Sequence, residues 1–359
     1  MEKLLTLIVP SYNMEDYLGD CLESLLVGES LEQVEVLVIN DGSKDGTSGI
    51  AHGFEAAFPG VFRVIDKENG NYGSCVNRGL DEATGKYVKV LDADDSFDTA
   101  NFEKYLSFLS SVDADLILSD FAVVDSERTT RKVIRYDMHR GTEFDMDSTC
   151  TDPIFQNMQM HAVTYRLENL RRMGYRQTEG ISYTDQQWIF IPMAAVKKVA
   201  YFASPVYRYL VGRAGQTVDP AVKMKSVRHT MKCAADMAAM YEKYRPAVGD
   251  RPVRQYLLSR VTPMLKDVYV FALSHYDEAM KSMLSEFDGQ LKRISRELYD
   301  YIGSREASSF MGFEYLAWWR GHRDTGISVV RFFSSLYMIV LRLRKSSSDE
   351  DPMSVPVSF

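Results

Sequence analysis

Long apolar runs are absent from this 359-residue chain. No stretch reaches the roughly 18 uninterrupted apolar residues of a bilayer-spanning helix, so an integral membrane protein is not expected. Cysteine is sparse. Cys21, Cys75, Cys150 and Cys233 stand far apart and form no C-x-x-C pair, which argues against a thiolate metal site and fits a reducing compartment. Met1-Glu2-Lys3 leads into only a short apolar segment with no small-residue cleavage site, so no secretory signal is expected and a cytoplasmic location is. Basic residues are outnumbered, 42 against 50 acidic, and the net charge of −8 offers nucleic acid no global field. No G-x-G-x-x-G follows the first apolar segment, which disfavours a dinucleotide-dependent oxidoreductase. No internal repeat is visible.

The composition that is present, 45% hydrophobic and 26% charged, is that of a soluble globular protein. At roughly 100–200 residues per domain, the length allows one large domain and a smaller one. Apolar runs at 4–9, 34–39, 61–65 and 87–91 read as buried strands, and 14–27, 47–58 and 72–83 read as helices between them. That alternation predicts a mostly parallel sheet with helices on both faces. Further on, 102–109 reads as a helix, 115–121 as a strand and 125–140 as an antiparallel excursion. From about residue 222, long stretches rich in Met, Ala, Leu and Tyr indicate a helical domain. The expected division is an α/β domain over 1–217, a helical domain over 218–345 and a flexible tail over 346–359.

In open α/β sheets, ligands bind beyond the carboxyl ends of the strands. Three polar clusters fall there: Ser11-Tyr12-Asn13, Asp41-Gly42-Ser43 and Asp92-Ala93-Asp94-Asp95. Two carboxylates one residue apart in a turn can address a hard cation and a neighbouring ribose. Mg2+ or Mn2+ in such a place keeps open positions for substrate phosphates and neutralises charge on a departing diphosphate. Each cluster also has a plainer explanation. Acidic turns cap helices, and Asp95 is placed to cap the next one. Asp41 can accept hydrogen bonds from a nucleoside or simply form an Asp-Gly turn.

Taken together the segments say more. Val9-Pro10-Ser11-Tyr12-Asn13, then Ile39-Asn40-Asp41-Gly42-Ser43, then Ala83-Thr84-Gly85-Lys86-Tyr87 leading into Leu91-Asp92-Ala93-Asp94-Asp95, strongly resemble glycosyltransferase family 2 in order and spacing. Glu68-Asn69-Gly70-Asn71-Tyr72-Gly73-Ser74 resembles the family's donor-site loop, although Val76 stands where the family often has an arginine. The resemblance implies a GT-A fold, an inverting mechanism and a nucleoside diphosphate sugar donor, commonly a UDP-sugar. By the same resemblance Pro10, Tyr12 and Asp41 hold the nucleoside, and Asn69 and Gly73 line its pocket. Asp92 and Ala93 meet the ribose or sugar. Asp94 ligates the metal, with Asp92 as a further candidate, and His161 is a metal ligand, an acceptor contact or a structural histidine. The family's downstream acidic pair reads Thr184-Asp185 here, which leaves Asp185 as the base for the acceptor hydroxyl, or as a helix-terminal aspartate.

Arg213, in a glycine-containing segment after Tyr207-Arg208-Tyr209, can match diphosphate oxygens bidentately or remain a solvated arginine. Residues 329–345 combine apolar side chains with Arg331, Arg342, Arg344 and Lys345, as a helix lying in a membrane interface does, and equally as a buried helix or dimer contact does. Trp318-Trp319-Arg320 fits either setting. The expected activity is therefore transfer of a hexose or N-acetylhexosamine to a glycan or lipid-linked acceptor in cell-surface polysaccharide synthesis. It would be assisted by Mn2+ or Mg2+, on the cytoplasmic face of a membrane or in the cytoplasm. Two alternatives stand beside it: a sugar-phosphate nucleotidyltransferase, and a non-catalytic degenerate transferase acting as a scaffold.

Overall fold

The computed structural model describes residues 3–138, 143–182, 184–212, 226–310 and 312–323. It divides the chain into two compact units, Met1–Val222 with Asp250–Gln255, and Lys223–Gly249 with Tyr256–Phe359. Arg213, the basic apolar segment 329–345 and the tail 346–359 lie outside the described residues.

The first unit is built on one sheet. Strands β1 (Leu5–Ser11) and β2 (Val34–Asn40) are buried at all seven positions, as continuous apolar runs covered on both faces should be. Helix α1 (Leu18–Glu23) follows β1, α2 (Thr47–Ala57) follows β2, and α3 (Asn71–Glu82) joins β3 (Phe62–Asp66) to β4 (Tyr87–Val90). These strands lie in the order β3-β2-β1-β4, all parallel. Beyond β4 the sheet becomes mixed. After β5 (Ser96–Phe97) and α4 (Thr99–Ser111) come β6 (Leu116–Val124), β7 (Thr130–Ile134) and β8 (Glu143–Asp145). Next are α5 (Pro153–Gln156), β9 (Val163–Arg166), α6 (Leu167–Met173), α7 (Asp185–Trp188) and β10 (Lys198–Leu210). Strand β9 runs antiparallel between β4 and β6, and β10 runs parallel to β6. The excursion expected over 125–140 is the β6–β7 hairpin.

The expected helix over 14–27 is shorter in the structure. Met14 and Glu15 spend their backbone N–H groups on Thr47 Oγ1 (2.7 Å) and Asp45 Oδ2 (3.2 Å), lashing the loop after β1 to the loop after β2. Residues 15–17 still form a turn, with Tyr17 N and Leu18 N donating to Met14 O at 3.0 and 2.9 Å, but the regular helix starts only at Leu18. Asp95 does not cap α4. That task falls to Asp98, which accepts from Asn101 N at 2.9 Å, so the sequence-based capping assignment is corrected by three residues.

The described part of the second unit is mostly helical, with Val227–Val248, the part of Val253–Ser274 from Tyr256 onward, Glu278–Ile294, Arg296–Gly303 and Tyr315–Gly321 as its principal elements. Asp288 is fully buried and accepts from Tyr269 Oη (2.7 Å), Arg320 Nε (2.8 Å) and Arg323. A buried carboxylate is tolerated only with such partners. Trp319 is buried in this core and donates to Tyr276 Oη at 2.9 Å.

Candidate active site

The carboxyl ends of β1, β2 and β4 place the three polar clusters on one edge of the sheet. β4 leaves β1 after the Ile8–Val90 pair, with Leu91 N still donating to Ile8 O at 2.9 Å. Pro10, two residues on, therefore has its nitrogen on the side where pairing has ended, the place in a strand where a missing N–H costs nothing. Tyr12 follows and is 46% exposed, an aromatic face open to solvent at the strand end.

Asp41 is buried and closely held. Its Oδ1 accepts from Lys67 Nζ at 2.5 Å and from Gly70 N at 2.9 Å, while its carbonyl accepts from Asn69 Nδ2 at 3.0 Å. Lys67 also reaches Ser74 Oγ at 2.9 Å. The loop 67–70 is thus folded around Asp41, and Asn69 and Asp41 are neighbours. Gly73 has a different surrounding. A Cβ added there would overlap the Thr178 carbonyl oxygen and stand 2.9 Å from its carbonyl carbon. The glycine lets the strap 176–182 lie directly on α3. Asn77 clamps the same strap, donating to Gln177 O and Glu179 Oε1 at 2.8 Å each, and Gly180 N donates to Gly70 O at 2.9 Å.

The acidic cluster closes on itself: Asp95 N donates to Asp92 O at 3.0 Å, a turn that brings its first and fourth residues side by side. One ligand atom each from Asp92, Asp95 and His161 come within 4.8 Å of one another. Asp94, the residue expected to bind metal, is not in that trio, and its carbonyl accepts from Arg128 Nη1 at 3.0 Å. Ala93 is buried inside the turn. Asp95 is 1% exposed and accepts from Tyr207 Oη (2.6 Å) and Leu210 N (2.7 Å). Burial and the neighbouring charges of Asp94 and Asp92 push its carboxyl well above the usual range. Repulsion of this kind is what a bound cation relieves.

His161 adds a nitrogen donor to the two carboxylates. The residue is 7% exposed, and its Nδ1 is buried with no hydrogen-bond partner. The ring stacks on Tyr209 at 4.2 Å and meets Tyr207 edge-on at 4.9 Å. Burial, with the Lys89 charge, lowers it to about 3, so the imidazole is neutral and its nitrogens can act as ligands. Lys89 itself is fully buried, its Nζ donating to His161 O at 2.6 Å and Val163 O at 3.2 Å, and burial lowers it to about 7. Two carboxylates and an imidazole fit a divalent ion, and the nitrogen tilts the set from Mg2+ toward a first-row ion such as Mn2+.

Asp185 opens α7 at the end of the strap and is half-buried; burial raises its carboxyl above the ordinary aspartate value. Its charge is felt by Tyr72 and Tyr209, which also feel Asp92 and Asp95. The base candidate and the acidic turn therefore share one neighbourhood.

Residues 6–166 match Glycosyl transferase family 2. That match lies within the first unit and spans less than half of the chain. The chain is 32% identical over 130 residues to the uncharacterized glycosyltransferase EpsJ of Bacillus subtilis, covering 36% of this chain and 37% of EpsJ. It is 27% identical over 216 residues to the uncharacterized glycosyltransferase YibD of Escherichia coli, covering 57% and 60%. The chain thus matches less than two thirds of the length of these relatives. The crystal structure of S. aureus TarS 1–349 in complex with UDP-GlcNAc superposes with a TM-score of 0.69 at 17% identity, over 93% of this chain and 91% of that one. The fold is accordingly GT-A with a helical C-terminal region.

The two departures from the family-2 pattern have physical settings. Val76 is fully buried in α3, where a guanidinium would lack water. Thr184 is likewise fully buried, so an acid at that place would be a desolvated charge, and Asp185 alone keeps partial contact with solvent. Sequence reasoning missed Tyr72, Tyr207 and Lys89. Tyr207 lay in a segment singled out only for Arg213, and Lys89 sits in a strand where a lysine interrupting an apolar run was the available signal.

Proposed function

We propose that the protein is an inverting, divalent-metal-assisted glycosyltransferase that moves a hexose or N-acetylhexosamine from a nucleoside diphosphate sugar, foremost a UDP-sugar. The acceptor is a glycan or lipid-linked saccharide in cell-surface polysaccharide synthesis. The observation that carries the reading is the meeting of Asp92, Asp95 and the unpartnered His161 at the sheet edge that also holds Asp41. The UDP-GlcNAc and UDP in the TarS crystals support the choice of donor nucleotide.

In this reading Tyr12, Pro10 and Asp41 receive the nucleoside, with Asn69 and the folded 67–70 loop forming the wall behind it. Asp92, Asp95 and His161, with Asp94 adjacent, hold Mn2+ or Mg2+. When bound, the ion neutralises charge developing on the departing diphosphate. Asp185 accepts the proton of the attacking acceptor hydroxyl, and its raised pKa makes it a stronger base than a solvated aspartate. Arg213 and the 329–345 segment remain candidates for diphosphate and membrane-surface contact. The proposed location is cytoplasmic or peripheral on the membrane's cytoplasmic face. No described helix is long and apolar enough to cross a membrane.

The test is a melting-temperature screen of UDP, UDP-glucose, UDP-GlcNAc and GDP-mannose with Mn2+ or with EDTA. A ligand at 100 times its dissociation constant stabilises the folded state by about 2.7 kcal/mol, so a Mn2+-dependent upward shift with a UDP-sugar is expected. Absence of any shift, or diphosphate release from nucleoside triphosphate plus sugar phosphate, would overturn the proposal.

A further inference from the structure

Tyr72 lies within the segment that resembles a donor-site loop but is given no role of its own there, yet its hydroxyl reaches both the acidic turn and the turn that carries His161. It donates to Asp92 Oδ1 at 2.8 Å and lies 3.7 Å from Met160 Sδ. Met160 opens the short turn Met160–Ala162 that carries His161. At its other end, Tyr72 is the second residue of α3, directly after Asn71, which takes φ +65°, and Gly70, whose N–H is bound by Asp41. One side chain therefore runs from the loop wrapped around Asp41 to the turn that holds Asp92.

A carboxylate with one oxygen fixed by a charge-assisted hydrogen bond presents its other oxygen in a defined direction. Groups that orient a metal ligand in this way are worth about 10–100-fold in metal affinity. We infer that Tyr72 is a positioning residue that locks Asp92 for a divalent cation and ties the cation site to the donor loop. The inference rests on the glycosyltransferase reading, because orienting Asp92 matters only if a cation is held there.

Tyr72→Phe keeps the ring and its packing and removes only the donor. The protein used is the full chain, with bound Mn2+ read by electron paramagnetic resonance in the presence of UDP, and UDP affinity measured separately in EDTA. The expected result is a fall of about 10–100-fold in Mn2+ affinity, with metal-free UDP binding and the ligand-free melting curve unchanged. Wild-type Mn2+ affinity in the variant would overturn the inference while leaving the transferase reading intact. Loss of metal-free UDP binding together with Mn2+ affinity would also overturn it, because Tyr72 would then be supporting the loop rather than Asp92. A wild-type protein that binds UDP and no Mn2+ would overturn the metal site itself, and the inference with it.

Discussion

A methyl group added at Gly73 gives the sharpest test of how the strap 176–182 serves the site. In Gly73→Ala the new Cβ would overlap the Thr178 carbonyl oxygen and sit 2.9 Å from its carbon, with Thr184 Oγ1 at 3.4 Å. The obstacle is backbone and cannot rotate aside, so the strap must withdraw from α3 by something on the order of 1 Å. Overpacking of this kind costs about 1–3 kcal/mol of stability. The added Cβ also meets Thr184, the residue before Asp185, and a displacement of about 1 Å in a catalytic group costs on the order of 100-fold in rate. Urea denaturation should therefore show a lower midpoint at an unchanged slope. Transfer assays should show kcat falling about 100-fold with UDP affinity much less affected. If Gly73 instead lined an open nucleoside pocket, the methyl would weaken UDP binding first and leave stability alone. That outcome, or a variant indistinguishable from the wild type, would refute the reasoning.

Replacing Asp185 by Asn should lower kcat/KM by about 100–10,000-fold without altering UDP affinity, and the acid limb of the wild-type pH profile should lie above the ordinary aspartate range because burial raises this carboxyl. Retained transfer in the variant would remove Asp185 from the mechanism. His161→Gln should weaken Mn2+ binding at least about tenfold, whereas Asp94→Asn separates the two views of the metal turn: a smaller loss than Asp95→Asn is expected if the trio Asp92, Asp95 and His161 holds the ion. Away from the site, His52 is bound by Asp66 and Glu55 at 2.9 Å each, and those partners raise its pKa, the Asp66 hydrogen bond contributing most. A folded-state pKa above the unfolded value gives stability that is fully present below pH ~6.5 and is lost as pH rises through the folded value. Because the pair is about half exposed, the contribution is at most about 1 kcal/mol. Chemical denaturation at pH 6 and pH 8.5 should therefore lose a wild-type difference in His52→Gln, and an unchanged difference would place the pH dependence elsewhere.

The chain's own pattern determined the alternation of the first four strands and their helices, because buried parallel strands leave uninterrupted apolar runs that end where the backbone turns polar. It also determined that Tyr12, Asp41 and Asp92 would emerge on one edge, since parallel strands present all their carboxyl ends together. What it left open is everything that depends on residues far apart in sequence. Asp94 and Asp95 are equivalent on paper, and only the turn from Asp92 to Asp95 and the packing of His161 against Tyr207 and Tyr209 bring Asp95 into the trio. Gly73 belonged to a loop motif, but its neighbour at Thr178 lies about a hundred residues away, across a strap whose path no local periodicity encodes. Lys89 carries no motif, and the donor-loop motif that contains Tyr72 assigns it no role. Their roles arise because a buried cation and a buried hydroxyl must find acceptors, and the tertiary fold supplied the His161 carbonyl to one and the Asp92 carboxylate to the other.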